Sequence, residues 1–523
     1  MPEPRMWQLT AGSAALGLAL AAVAVTTAGP WDSGQRTAER ARAAAPVTGG
    51  AHHAPPPPPA PAAPRRPAPA PSAPGVLPAL HAPAAAERPA GRPADLAATL
   101  VPLLADPGLG PLRTASVVDT ATGTQLYGEG AGTPMTPAST VKIATVAAAL
   151  SALGPDHRIA TTVTASADGR TVTLTGGGDP TLDPARLGRL AADTARALKA
   201  RGHTSVRLAY DTSLYQGPEL HPIGPNENIA PVTALMTSEG RLDRSGSGPA
   251  PRTADPAGDT ARAFAGLLTA AGVKVTGEPT RSTGEPSRST GGPATSTGEP
   301  GKTTGEPAKA PGGPTKAPGT PAAAKTAAAK TAAAKTAAPL ARTHSAPLAD
   351  LAERTLTHSD NDLAEALARQ TALARKQPAS FEGAGKAVRD ELAELGLPLA
   401  GARFADGSGL DRRDRVSAAL LTTLLTRAAD PARPALRPVL TGLPVGGFTG
   451  TLAGRFDTAP ATAGAGLVRA KTGTLTGVNT LAGTVVTADG RLLAFAFLAG
   501  RTLSPYEAQP ALDRLSAALA GQG

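Results

Sequence analysis

The chain has no cysteine. That removes disulfides, thiolate nucleophiles and cysteine-ligated metal sites. Aromatic residues make up only 2% of its 523 residues, so any core must be built mainly from Ala, Leu and Val. The formal charge is +10, yet Arg65, Arg66, Lys325, Lys330 and Lys335 lie in low-complexity tracts with little aromatic interleaving and no nucleic-acid motif. Nucleic acid is therefore not an expected partner. Attraction to an anionic cell wall is compatible with the charge, but solubilised linkers are the favoured account. His-Glu-x-x-His is missing, and so is a Gly-x-Ser-x-Gly elbow, since the residue two before Ser408 is Asp406. The histidines show no ligand spacing, His52-His53 has no further ligands nearby, and His358 reads as a minor structural residue. No cofactor and no metal is expected.

What is present is unevenly distributed. No charged residue falls between Arg5 and Asp32, and an apolar run at 16–25 makes residues 1–31 a signal peptide or a membrane anchor. Residues 32–94 are Pro/Ala-rich, with consecutive prolines from Pro55 to Pro59. Such a segment buries too little apolar surface to offset its ordering entropy, so it reads as a disordered spacer. Folding is expected from Asp95, as the cap of a helix reaching about Leu104. Strands follow at 114–118 and 124–127, then a helix opened by Pro137 and running to about Leu153. Residues 95–157 form the first part of one domain. Residues 158–345 read as an inserted region with strands at 172–174 and 206–210 around a helix at about 184–201. Its run Gly176-Gly177-Gly178-Asp179-Pro180 is neither Gly-x-Gly-x-x-Gly nor a P-loop, and Asp179 would repel phosphate, so a structural turn is expected. Within the insertion, residues 277–338 are low complexity, with Thr-Gly-Glu-Pro repeats and then Ala-Ala-Ala-Lys-Thr repeats. They read as a disordered loop on the surface. Residues 346–523 complete the first domain. Helices are expected there at 362–375, from Ser417 to about Arg427 and at 507–519. A strand at 467–470 leads into Lys471, and a hairpin closes at Asp489-Gly490.

Three short motifs carry the chemistry. Ser139-Thr140-Val141-Lys142 comes first, Ser359-Asp360-Asn361 follows, and Lys471-Thr472-Gly473 is last. A serine hydroxyl is a weak nucleophile at neutral pH and needs a base within reach. On a helix, positions i and i+3 share a face, which brings Lys142 to Ser139. Lysine accepts a proton only when neutral, so burial or a nearby cation such as Lys471 must lower its pKa from about 10.4. Ser359 is placed to relay a proton between Lys142 and a leaving amine, and Asn361 to hold Lys142 and a substrate amide. Lys471 and Thr472 suit a substrate carboxylate, Gly473 lets substrate approach a strand, and the N–H groups of Ser139 and Thr474 would form an oxyanion hole. Singly, these motifs read as a helix surface, a helix cap and a strand exit. In this order they describe serine acyl transfer without a catalytic histidine.

This arrangement resembles the serine penicillin-recognising enzymes. Lys142 and Ser359 are separated by 217 positions, which implies a large domain inserted between the first two motifs. That layout, with Gly177-Gly178-Asp179-Pro180, Asp406-Gly407-Ser408-Gly409-Leu410 and Leu443-Pro444-Val445, is similar to the D-alanyl-D-alanine carboxypeptidase/endopeptidase family of class C low-molecular-mass penicillin-binding proteins (peptidase S13 type). The resemblance implies an α+β transpeptidase-like fold, an antiparallel sheet flanked by helices. It also implies an acyl-enzyme on Ser139, peptidoglycan stem peptides and β-lactams as ligands, and action outside the cytoplasm, secreted or held at the membrane. A β-lactamase or esterase of the same fold and a non-catalytic wall-binding protein are the alternatives. Neither oligomeric state nor carboxypeptidase against endopeptidase preference follows from the sequence.

Overall fold

The computed structural model describes residues 93–282 and 339–522. The expected signal or anchor, nearly all of the Pro/Ala spacer and the low-complexity tract from 283 lie outside the described residues. Among those described, no helix is long and apolar enough to cross a membrane.

The first helix, α1 (Pro93–Leu104), begins two residues before Asp95, with a proline suited to a first turn. Its Leu96, Leu100 and Leu104 recur on one face and are buried. Strands β1 (Leu112–Asp119) and β2 (Gln125–Glu129) follow. A 3-10 turn, Ala138–Val141, then leads into α2 (Lys142–Leu153). Ser139 thus sits in a tightened turn ahead of the α-helix rather than inside it. Every residue of α2 from Lys142 to Leu150 is buried. The run Ala147-Ala148-Ala149 keeps that helix slim enough to be enclosed by its neighbours.

The insertion begins with β3 (Ala160–Ala165), β4 (Thr171–Thr175), α3 (Pro184–Lys199) and β5 (Ser205–Asp211). A long stretch follows whose one regular feature is a 3-10 turn at Ser238–Gly240. Then come α4 (Pro256–Ala270), β6 (Lys274–Val275), β7 (Thr280–Arg281) and β8 (Ala341–His344). The sheet order is β6-β5-β4-β3-β8, with β7 also on β5. β4 and β5 are parallel across α3, while β3 pairs antiparallel with β4 and β8. The glycine-rich turn is structural. Asp179 pairs with Arg186 at 2.8 Å, and a Cβ on Gly177 would lie 1.9 Å from the Ala160 carbonyl oxygen.

The chain then returns through α5 (Leu348–Thr357), α6 (Asn361–Ala374), α7 (Phe381–Glu394) and α8 (Ala418–Ala429). Asp360 caps α6 by accepting from Leu363 N, and Ser417 caps α8 by accepting from Leu420 N. Last come β9 (Val468–Leu475), β10 (Val478–Val486), β11 (Leu492–Gly500) and α9 (Pro505–Ala520). They complete an antiparallel sheet of order β2-β1-β11-β10-β9. Strand β11 shows why this sheet is buried on both faces. Leu493, Phe495, Phe497 and Ala499 join the core under α1 and α9, while Ala494, Ala496 and Leu498 join the core under α2 and α8. A buried Ser116–Thr422 hydroxyl pair at 2.9 Å ties β1 to α8.

Candidate active site

Lys142 is fully buried and opens α2, one residue past the 3-10 turn. Its Nζ donates to Ser139 Oγ at 3.0 Å, to Asn361 Oδ1 at 2.7 Å and to the Ser408 carbonyl at 2.5 Å. Burial pulls its pKa down to about 8, against the opposing pull of Asp406, Asp360, Glu365 and Asp414. The depression expected of Lys142 is therefore present, and burial supplies it.

The serine turn is locked onto the sheet. Thr480 Oγ1 and Thr140 Oγ1 both donate to the Pro137 carbonyl, at 2.8 and 2.7 Å. Gly473, opposite Thr480 in the β9–β10 ladder, leaves room for this contact. A Cβ there would fall 2.1 Å from Thr480 Oγ1 and 2.6 Å from the Pro137 oxygen. Its small size thus serves the serine turn, where the sequence suggested room for substrate.

Lys471 lies within β9 rather than at its end and has no solvent exposure. Its Nζ donates to the Thr472 carbonyl at 2.7 Å. Burial first, and repulsion from Lys142 second, hold its pKa well below the ordinary lysine range. Burial therefore disfavours its charged form, and its Nζ acts as a hydrogen-bond donor on the strand. Thr472 Oγ1 donates to Thr451 Oγ1 at 2.9 Å, and Thr474 is exposed on the strand.

Ser359 has φ of +57°, in the left-handed region, just before the cap of α6. It lines a cavity of about 390 Å³ together with Ser139, Asn361, Thr474, Asn228 and Thr451. Among the described residues no hydrogen bond joins Ser359 to Lys142, so a direct relay between them is not formed. Asn361 bridges instead: its Oδ1 accepts from Lys142 and its Nδ2 donates to the Asn228 carbonyl at 2.9 Å. His358 lines the same cavity.

Two buried charge clusters flank these groups. In one, Glu239, Asp360 and Asp362 approach one another. Arginines answer them: Arg241 with Glu239 at 2.9 Å, Arg252 with Asp362 at 2.9 Å, and Arg354 with Glu239 and Asp360. Burial raises Glu239 to about 8, helped by Asp360, and raises Asp362 to about 7 despite Arg252. In the other, His221, Glu365 and Asp406 converge. Asp406 Oδ2 already accepts from Ser408 Oγ and Asp411 N and pairs with His221 Nε2. With its lone pairs taken and arginines answering the first cluster, both sets fit structural pairing better than metal ligation.

Sequence reasoning missed Asn228, Arg241, Arg252, Thr451, His221 and Asp414. None lies at a fixed spacing from a motif, and several come from the irregular stretch between β5 and α4.

Comparisons with known proteins identify the family and the fold. The profile of a family described as D-Ala-D-Ala carboxypeptidase 3 (S13) matches residues 96–245 and 319–519. The chain is 34% identical over 481 residues to a carboxypeptidase DacB of Mycolicibacterium smegmatis, covering 88% of this chain and 90% of that protein. It is 30% identical over 449 residues to a D-alanyl-D-alanine carboxypeptidase of an Actinomadura species, covering 78% and 82%. The crystal structure of penicillin binding protein 4 (dacB) from Haemophilus influenzae superposes with a TM-score of 0.59 at 20% identity, covering 81% of this chain and 97% of that one, and shows the same fold.

Proposed function

Because this chain belongs to the D-Ala-D-Ala carboxypeptidase 3 (S13) family, we propose that it is a serine D-alanyl-D-alanine carboxypeptidase that works through Ser139. One observation carries the reading. A fully buried lysine, lowered to about 8, has its Nζ 3.0 Å from a serine hydroxyl at the wall of a cavity. At neutral to mildly alkaline pH a working fraction of that amine is neutral and able to take the Ser139 proton.

A neutral amine has two N–H bonds and one lone pair. The Asn361 Oδ1 and Ser408 carbonyl acceptors have no proton to give, so they take both N–H bonds. The lone pair is then left facing Ser139 Oγ. Ser139 Oγ attacks the carbonyl of the penultimate D-Ala, and its proton passes to Lys142. The N–H groups of Ser139 and Thr474 hold the developing oxyanion. The carbon–nitrogen bond breaks, and the departing D-Ala amine takes the proton held on Lys142, with Ser359 on the cavity wall as the relay once a bound water or substrate group joins the two. Water then hydrolyses the acyl-enzyme. β9 is an edge strand, which suits an extended peptide laid beside it. The hydroxyls of Thr472 and Thr474, beside Lys471, fit the terminal carboxylate.

β-Lactams would acylate the same serine. The substrate class, peptidoglycan stem peptides, places the activity outside the cytoplasm, with residues 1–31 as exported leader or anchor. When the leaving amine belongs to a diamino acid side chain, the same steps would open a cross-link.

Labelling with a fluorescent penicillin tests the assignment: the wild type should label covalently and Ser139→Ala should not. Equal labelling of the two would overturn it. Release of D-Ala from a pentapeptide, measured beside cleavage of cross-linked muropeptides, tests the peptidase preference. Rapid turnover of a chromogenic cephalosporin with no lasting label would favour a β-lactamase.

A further inference from the structure

The Ser408–Gly409 peptide is fixed at both ends. Its N–H donates to Asp406 Oδ1 at 2.6 Å, and its carbonyl accepts from Lys142 Nζ at 2.5 Å. The preceding peptides are fixed as well, with Gly407 N and Ser408 N both donating to Glu365 Oε1 at 3.0 Å. Thr145 Oγ1, one turn along α2 from Lys142, donates to the Gly407 carbonyl at 2.8 Å. Gly409 has φ of +82°, and a Cβ there would lie 2.1 Å from the Ala138 oxygen. The 406–411 turn is therefore wedged directly against the serine turn.

Asp406 is the hub of this wedge. It is buried, and its Oδ2 pairs at 2.9 Å with Nε2 of His221, which is also buried. His221 comes from the irregular stretch between β5 and α4. Its ring also meets Phe381 of α7 edge-on, with centroids 5.3 Å apart.

We propose that Asp406, braced by His221, is a positioning residue for the general base: it aims the Ser408 carbonyl at Lys142 and so directs the amine lone pair to Ser139. This rests on the reading of Lys142 as the base. Four acids surround the amine, Asp360 and Glu365 at α6 and Asp406 and Asp414 around the turn, and Lys471 on β9 also faces it. Glu365 and Asp411 also face His221. Asp406 stands out because it acts on Lys142 both by charge and through one ordered peptide. Burial pushes its carboxyl up, and the His221 and Asp414 hydrogen bonds more than reverse this, so it stays ionised.

The test is the rate of Ser139 acylation by a fluorescent penicillin, followed from about pH 6 to pH 10 beside thermal melting. Asp406→Asn removes a negative charge near Lys142. The acid limb of the profile should move to lower pH by on the order of one unit. The plateau should fall by about tenfold as the peptide loosens. His221→Gln keeps an N–H donor but swaps the ring braced on Phe381 for a flexible amide, so Asp406 is held less firmly and the plateau should fall by less than in Asp406→Asn. A role confined to stability would lower the melting temperature and leave the acid limb of Asp406→Asn and the plateaus of both variants in place; that result overturns the proposal. If Asp406→Asn does not fold, His221→Gln decides alone, and an unmoved plateau overturns it. Loss of label in Ser139→Ala together with an unmoved limb and unmoved plateaus sinks only the positioning role. Persisting label in Ser139→Ala sinks the assignment of the serine itself.

Discussion

The two sheets are buried differently. In the five-stranded sheet, β10 and β11 are buried on both faces, and their residues split between two cores. In the inserted sheet, β4 and β5 alternate between buried and more exposed positions and pack one core against α3 and α4. The first is a platform fixed from above and below. The second is an α/β layer whose main link to the site is the irregular stretch after β5. The platform and its helices supply Ser139, Lys142, Asn361 and Lys471. The insertion supplies props: the Asn228 carbonyl, Arg252 and His221. Loss of a platform group should therefore stop chemistry in a folded protein, whereas loss of a prop should act through stability or through the tuning of the base.

The largest effect is expected at Lys142. Lys142→Met fills the same buried space without a proton acceptor, so acylation of Ser139 should fall by about 10²–10⁴-fold. Melting should change little, because a buried amine gives way to an apolar chain of similar length. Stopped-flow or gel-based acylation rates beside a melting curve check both halves. A variant that melts far below the wild type would make Lys142 a structural group and break the contrast.

The matching change in the insertion is Arg252→Met. It leaves Asp362 buried without its arginine, with Ala230 N still donating to it. Breaking such a pair costs about 3–5 kcal/mol. Denaturant unfolding should show that loss, while the acylation rate per folded molecule stays within a few-fold of wild type. A large rate loss at unchanged stability would mean that Arg252 serves substrate and not the fold.

How much of this the sequence disclosed follows the same division. Ser139, Lys142, Asn361 and Lys471 were legible because acyl transfer demands those residue types at short spacing, on elements whose apolar periodicity is strong. The caps Ser417 and the turn Asp489-Gly490 were legible through local backbone chemistry. Asn228 was not, because it contributes a carbonyl that any residue could supply. Arg241 and Arg252 look like surface charges until the fold buries them against Glu239 and Asp362. The reason for Gly473 was also hidden. Only the cross-sheet contact of Thr480 with the Pro137 carbonyl shows what a side chain there would strike.

The smallest effect expected concerns pH, and it sharpens the contrast because acids and lysines act in different windows. Glu239 and Asp362 have folded-state pKa values of about 8 and about 7, above their ordinary 4.5 and 3.8. Between those limits the folded state binds more protons than the unfolded chain, so stability must fall as pH rises from about 4 to about 8. His221 adds to the fall, since its pKa is raised too, and its contribution is lost as pH climbs past 6.5. Lys142 acts in the opposite sense. Its folded value of about 8 lies below 10.5, so between those values the unfolded chain binds more protons and stability is regained. Lys471, also lowered, acts in the same direction. Thermal melting across pH should therefore decline to a minimum near pH 8 and then recover in part, until other groups titrate. Lys142→Met should flatten the alkaline recovery and leave the decline intact. Glu239→Gln, in the insertion, should lessen the decline and leave the recovery. If each substitution altered both limbs equally, the two regions would not titrate independently, and the separation of platform from props would fail.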